Sequence, residues 1–221
     1  MTGSEEYLDD LLGRLMDENP IRFRTNGEPD VEMKRTLVRA YMNIRQPITV
    51  PPELLTVQDK YLRSRKDERG IVHSDDIPTI HESLDSDGRN AYIISLWQGD
   101  ITELDCDAIV NAANSQMLGC FQPCHACIDN CIHTFAGIQL RLECNMHMQR
   151  LRAEFGPDYE QPTAVPMLTD AYNLPCKKVI HIVGPIVYDD LNLGLENDLR
   201  NCYIRTLDMC KDNGLRSVAF C

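Results

Sequence analysis

Asp107-Ala-Ile-Val-Asn-Ala-Ala-Asn114 leads through Met117-Leu-Gly-Cys120-Phe-Gln-Pro-Cys-His-Ala-Cys127 into Asp129-Asn-Cys-Ile-His-Thr-Phe-Ala-Gly137. Asp107 to Val110 is an apolar run short enough for a buried strand. Ile132, Phe135, Ala136, Leu140 and Leu142 then predict one long helix starting at about Asp129. Between strand and helix lies a loop rich in thiols.

Working outward, Lys178 to Val183 reads as a second buried strand, stopped by Gly184-Pro185. Glu196 to Asn213 reads as a helix ending at Asn213-Gly214, and Arg216 to Cys221 begins a last strand. Upstream, Ala91 to Trp97 is a β-rich run closed by Gly99-Asp100. Strands alternating with helices predict an α/β sheet covered by helices over residues 91–221.

Residues 1–90 read as a helical N-terminal extension. Leu8, Leu11, Leu12 and Leu15 share one helical face after Ser4, a candidate N-cap, and Asn19-Pro20 stops the helix. A second helix is expected from Val31 towards Gln46-Pro47, and a third from Pro51-Pro52 through Leu62. His73 to Arg89 reads as a polar linker, and nothing in the extension looks like chemistry.

Across the 221 residues the formal net charge is -12, which argues against a nucleic-acid or anionic-membrane binder. No signal peptide or apolar stretch of membrane-spanning length occurs, so a cytoplasmic protein is expected; a monomer is expected as well. All ten cysteines lie at or beyond Cys106, which in a reducing compartment favours metal binding or buried thiols over disulfides. Cys144, Cys176, Cys202, Cys210 and Cys221 read as small core residues.

Cys120, His125 and Cys127 are spaced so that one loop can wrap a metal, and thiolate with imidazole is a preferred ligand set of Zn²⁺. Three protein ligands leave a position open, the catalytic pattern. Cys124 is left out because adjacent residues point apart. Cys127 is placed near a helix start, where the dipole favours thiolate. Pro123-Cys124-His-Ala-Cys127 also fits half of the zinc nucleobase deaminase signature, but the His/Cys-x-Glu it requires is missing upstream.

Gly99-Asp100-Ile101-Thr102 followed by Asp107 to Asn114 closely resembles the signature of macrodomains, which bind ADP-ribose. The inserted Cys-Phe-x-Pro-x-His-x-Cys is similar to the zinc-dependent macrodomain family of protein ADP-ribosyl hydrolases. Tyr172-Asn-Leu-Pro175 and Val179 to Pro185 extend the match. The resemblance implies a mixed sheet sandwiched between helices, and hydrolysis of mono-ADP-ribose from proteins with Zn²⁺ as cofactor. It assigns Asp129 and Asn114 to catalysis, Cys120, His125 and Cys127 to the metal, and Asp100, Ile101, Asn111, Ala112 and Asn114 to the ligand. Asp100 would accept from the adenine amino group; otherwise it is a turn cap. Asp129 would orient water or a ribose hydroxyl; otherwise it is an N-cap.

Departures from the family are specific. Ala164 and Ala171 stand where glycine is usual, and Pro166 where alanine is usual; an alanine forced to positive φ costs roughly 1 kcal/mol. The family's second phosphate loop would follow a strand like Arg216 to Cys221, so the domain is expected to be truncated at its C-terminal end. The rival reading is a non-catalytic ADP-ribose-binding module whose zinc only staples the loop. A further rival is a degenerate chain that binds nothing well.

Overall fold

The computed structural model describes residues 3–25 and 27–221. Three helices come first: α1 (Glu5–Glu18), α2 (Val31–Ile44) and α3 (Pro52–Arg69). Leu8, Leu11, Leu12 and Leu15 are buried on the inner face of α1, as their spacing predicted. They pack against Val38, Tyr41, Leu54 and Tyr61. Asp30 caps α2 by accepting from the Met33 N–H, whereas Ser4 makes no side-chain cap and is itself helical in φ and ψ.

The expected linker is partly ordered. It contains β1 (Val72–His73), a 3-10 turn and α4 (Ile80–Leu84), whose start carries a reciprocal cap between Thr79 and Glu82. β2 (Leu104–Asp105) pairs in parallel with β1, so pairing ties both sides of the expected boundary at residue 90 together.

The run 91–97 does not form a strand. It is a turn with one bridge from Ser95 to Thr79, and Ile93 and Leu96 are exposed. β-branched residues favour a strand only where a neighbouring strand offers a pleated surface, and no such neighbour lies beside this run among the described residues.

The main sheet comprises β3 (Ala108–Ala113), β4 (Met167–Asp170), β5 (Lys178–Val183) and β6 (Val218–Ala219). Their order is β4-β5-β3-β6, with β4 antiparallel and the rest parallel, a mixed sheet as expected. β4 was not predicted. Of the last run, Arg216 to Cys221, only two residues pair, and Cys221 is exposed rather than in the core.

Helices cover both faces. Ile109 and Val179 point into the core made with α5 (Ile128–Ala136) and α6 (Ile138–Phe155). Ala108, Val110, Ile180 and Ile182 point the other way, onto Cys202 and Cys210 of α7 (Leu193–Asp212). Fully burying an aliphatic side chain such as Ile109 stabilises by about 1.5–3 kcal/mol.

The single helix expected from Asp129 is broken at Gly137, whose φ is +104°. A Cβ there would lie 2.7 Å from Gln58 Nε2, and Gln58 Oε1 accepts from the next N–H, that of Ile138. The break thus seats α3 against the α/β unit, and Ile138 joins the core of the extension.

Candidate functional site

β3 carries the site at its C-terminal end, where parallel sheets open their crevices. Alternation puts Asn111 on the same face as Ile109, and in-register pairing sets it directly opposite His181 on β5. Both are fully buried. Asn111 Nδ2 lies 3.0 Å from His181 Nδ1, and His181 Nε2 lies 3.0 Å from Thr169 Oγ1. Burial, reinforced by His147, pushes His181 down to about 3, so the ring is neutral. It accepts from Asn111 and donates to Thr169.

After β3 the chain turns on Asn114, whose Oδ1 accepts from the Gln116 N–H at 3.0 Å. Its Nδ2 donates to Gly119 O and to Asp129 Oδ2, both at 3.3 Å. Gly119 has φ +78°, and a Cβ there would meet the His133 ring at 2.8 Å. Only glycine fits that conformation beside that ring.

Asp129 sits in the first turn of α5 with 5% of its surface exposed. It does not cap the helix. Cys127 does, its Sγ accepting from the Asn130 N–H at 3.4 Å. The Asp129 carboxylate instead receives Asn111 Nδ2 on Oδ1 at 2.8 Å, besides Asn114 on Oδ2. Burial pushes its pKa up, and the Asn111 bond and the Arg141 charge pull it back. His133 Nε2 is 3.5 Å from Oδ1, yet neither ring nitrogen has a hydrogen-bond partner. Burial first, then His181 and Arg141, hold His133 well below the usual histidine range. The carboxylate is therefore oriented by neutral amides beside a neutral ring.

Cys120, His125 and Cys127 converge, with all ligand atoms within 4.8 Å of one another. Cys120 Sγ and His125 Nδ1 are 3.8 Å apart. Tetrahedral Zn²⁺ with ordinary Zn–S and Zn–N bonds sets such atoms about 3.6 Å apart, so these donors fit the ion. Cys124 stays outside, its Sγ bonded to Thr36 O at 3.4 Å. Burial raises the Cys127 thiol, and the Asn130 N–H at the start of α5 partly offsets this.

The other residues expected at the ligand lie at the turn before β2 and on β3. Asp100 caps the turn at residues 101–103, accepting from the Thr102 N–H at 2.9 Å, and its other oxygen accepts from Arg69 at 2.9 Å. Ile101 belongs to the core, while Ala112 is exposed on the face of β3 opposite Asn111. Ala164 does adopt φ +61°, whereas Ala171 is not among the residues with positive φ.

Sequence reasoning missed Arg141, Asn130, Arg39 and Asn43. Arg141 is 4% exposed and donates to the carbonyls of Leu118, Asn43 and Arg45, each at 2.7 Å. Its guanidinium lies 4.1 Å from the Phe121 ring centroid. A cation within the apolar run Leu140-Arg-Leu142 was the one available signal.

This fold and this site define a domain with an amide-held carboxylate beside a Cys/His loop at the end of a parallel strand. The Macro domain family model matches residues 110–221. A protein-ADP-ribose hydrolase of Treponema medium is 43% identical over 211 residues, covering 96% of this chain and 76% of that protein. One of Staphylococcus aureus (strain MSSA476) is 36% identical over 217 residues, covering 98% and 74%. The crystal structure of the Trypanosoma brucei macrodomain in complex with ADP-ribose superposes with TM-score 0.55 at 27% identity, covering 88% of this chain and 74% of that one. The chain belongs to the macro domain family.

Proposed function

We propose that this protein is a protein-ADP-ribose hydrolase that removes mono-ADP-ribose from modified proteins, cleaving an ester to an acidic side chain with Zn²⁺ as its metal. Asp129 carries the reading: a buried carboxylate aimed by two asparagine amides, two residues from Cys127. The names of the bacterial relatives, at 43% and 36% identity across nearly the whole chain, support hydrolysis. The ADP-ribose complex of the trypanosomal macrodomain supports the ligand.

Hydrolysis breaks the bond between the anomeric carbon of the distal ribose and the side-chain oxygen. A water oxygen joins that carbon, and its proton ends on the released acid. Asp129 accepts a hydrogen bond from the water or from a ribose hydroxyl and holds it in line. Asn114, at the mouth of the site, offers its amide to the ribose hydroxyls. Cys120, His125 and Cys127 would hold Zn²⁺, which would supply Lewis-acid polarisation of an oxygen or lower the pKa of a water. Asn111, fully buried, acts from behind Asp129.

The test is release of ADP-ribose from an ester-modified protein, with and without a chelator. Release abolished by the chelator and by Cys127→Ala is expected. Release indifferent to both overturns the zinc mechanism. Calorimetric binding of ADP-ribose without turnover of any modified protein would make the domain a reader.

A further inference from the structure

The Cys120–Cys127 loop is not held by the macrodomain alone. Arg39, on α2 of the helical extension, donates through Nη2 to His125 O at 2.8 Å and to Asn130 Oδ1 at 2.8 Å. Asn130 Nδ2 passes that restraint on, donating to Gln122 O at 3.0 Å and Cys120 O at 3.4 Å. One helical turn along α2, Asn43 Oδ1 accepts from the Cys124 N–H at 2.9 Å, and Asn43 Nδ2 donates to Thr134 Oγ1 at 2.9 Å.

Cys124 is the point where the loop reverses. Its φ is +54°, a left-handed conformation that is strained for a residue with a Cβ. Such a conformation persists only when its surroundings over-determine it. Here both anchors, Asn43 Oδ1 on the N–H and Thr36 O on the thiol, come from α2. The reversal is what brings His125 and Cys127 back towards Cys120.

We infer that Arg39 and Asn43 are positioning residues of the metal site: α2 clamps the loop in the conformation that gathers Cys120, His125 and Cys127. The inference rests on the zinc reading above. It gives the extension a direct part in the site, contrary to the expectation that residues 1–90 carry no chemistry.

The experiment uses the full chain. Zn²⁺ affinity is measured by competition with a chromophoric chelator, and Co²⁺ substitution reports ligand geometry through its visible absorption. Arg39→Met keeps the aliphatic stem but removes every donor. It is expected to weaken Zn²⁺ about 10- to 100-fold, the usual effect of losing a group that orients ligands, and to alter the Co²⁺ spectrum. Arg39→Lys, with a donor for His125 O, should recover part of the affinity. If Arg39→Met fails to fold, Asn43→Asp and Asn43→Ala decide. The aspartate retains an acceptor for the Cys124 N–H and should bind Zn²⁺ more tightly than the alanine. Unchanged affinity and spectrum in folded Arg39→Met, or equal affinities of the two Asn43 variants, would overturn the clamp. Wild-type protein that takes up no Zn²⁺ overturns the zinc reading as well, so the two failures are distinguishable.

Discussion

Asn111 Nδ2 lies 2.8 Å from Asp129 Oδ1 and 3.0 Å from His181 Nδ1, so one amide group joins the core of the sheet to the carboxylate at the start of α5. Its two hydrogens serve the two acceptors, and both contacts are buried. The chain Thr169–His181–Asn111–Asp129 therefore fixes the carboxylate from the inside, while Asn114 approaches it from the mouth.

Asn111→Ala removes the middle of that chain and leaves two buried acceptors without their donor. An unsatisfied buried polar group costs about 1–3 kcal/mol, so the variant should unfold at lower urea. Under the proposed mechanism turnover should fall mainly in kcat, because Asn111 holds the Asp129 carboxylate. A variant with wild-type kcat would show that Asp129 needs no rear support.

Gly119 makes a sharper case. Alanine there takes the strain of φ +78° and places a methyl 2.8 Å from the His133 ring. Moving that ring disturbs Asp129, 3.5 Å from its Nε2. Gly119→Ala should cost more than the ~1 kcal/mol of conformational strain alone and should lower the thermal midpoint and activity together. A thermal scan matching wild type would mean that the ring moves aside freely.

Local spacing made part of this readable. Lys178 to Val183 is a strand with the predicted bounds because a continuous apolar run between turn residues has few alternatives. The leucines of α1 and the Cys120, His125, Cys127 trio are likewise local patterns. β4 was missed because four residues are too few to register alternation, and residues 91–97 were over-read because strand propensity says nothing about a partner. The break at Gly137 depends on Gln58, 80 residues away from Ile138 in the chain. Arg39 lies 91 residues from Asn130, and Arg141 lies 98 from Asn43. No motif encodes contacts of that range.

Cys124 tests whether proximity in sequence means membership of the site. Its Sγ bonds to Thr36 O, away from the trio. Cys124→Ser should keep one Zn²⁺ per chain by native mass spectrometry, since serine can make the same bond. Cys120→Ser and Cys127→Ser should each lose it. Loss in Cys124→Ser equal to that in Cys127→Ser would put the fourth thiol in the coordination shell.

The buried His181 also sets a pH dependence. Facing it are Asn111 on β3, Thr169 on β4, Cys144 and the more distant His147 on α6, and the His133 ring at 5.8 Å on α5. Its folded value is pushed down to about 3, against roughly 6.5 for an unfolded histidine. A depressed histidine is protonated in the unfolded chain before it is in the native one, so unfolding takes up a proton between these values. The stability is fully present above pH ~6.5 and drains away as the pH falls, by about 1.4 kcal/mol per unit for this one group. His181→Gln can still accept from Asn111 and donate to Thr169 but does not titrate. Urea unfolding of both proteins at several pH values from 7 to 4.5 should give the variant the shallower loss on acidification. Parallel pH profiles for the two proteins would show that His181 is not held neutral in the native state.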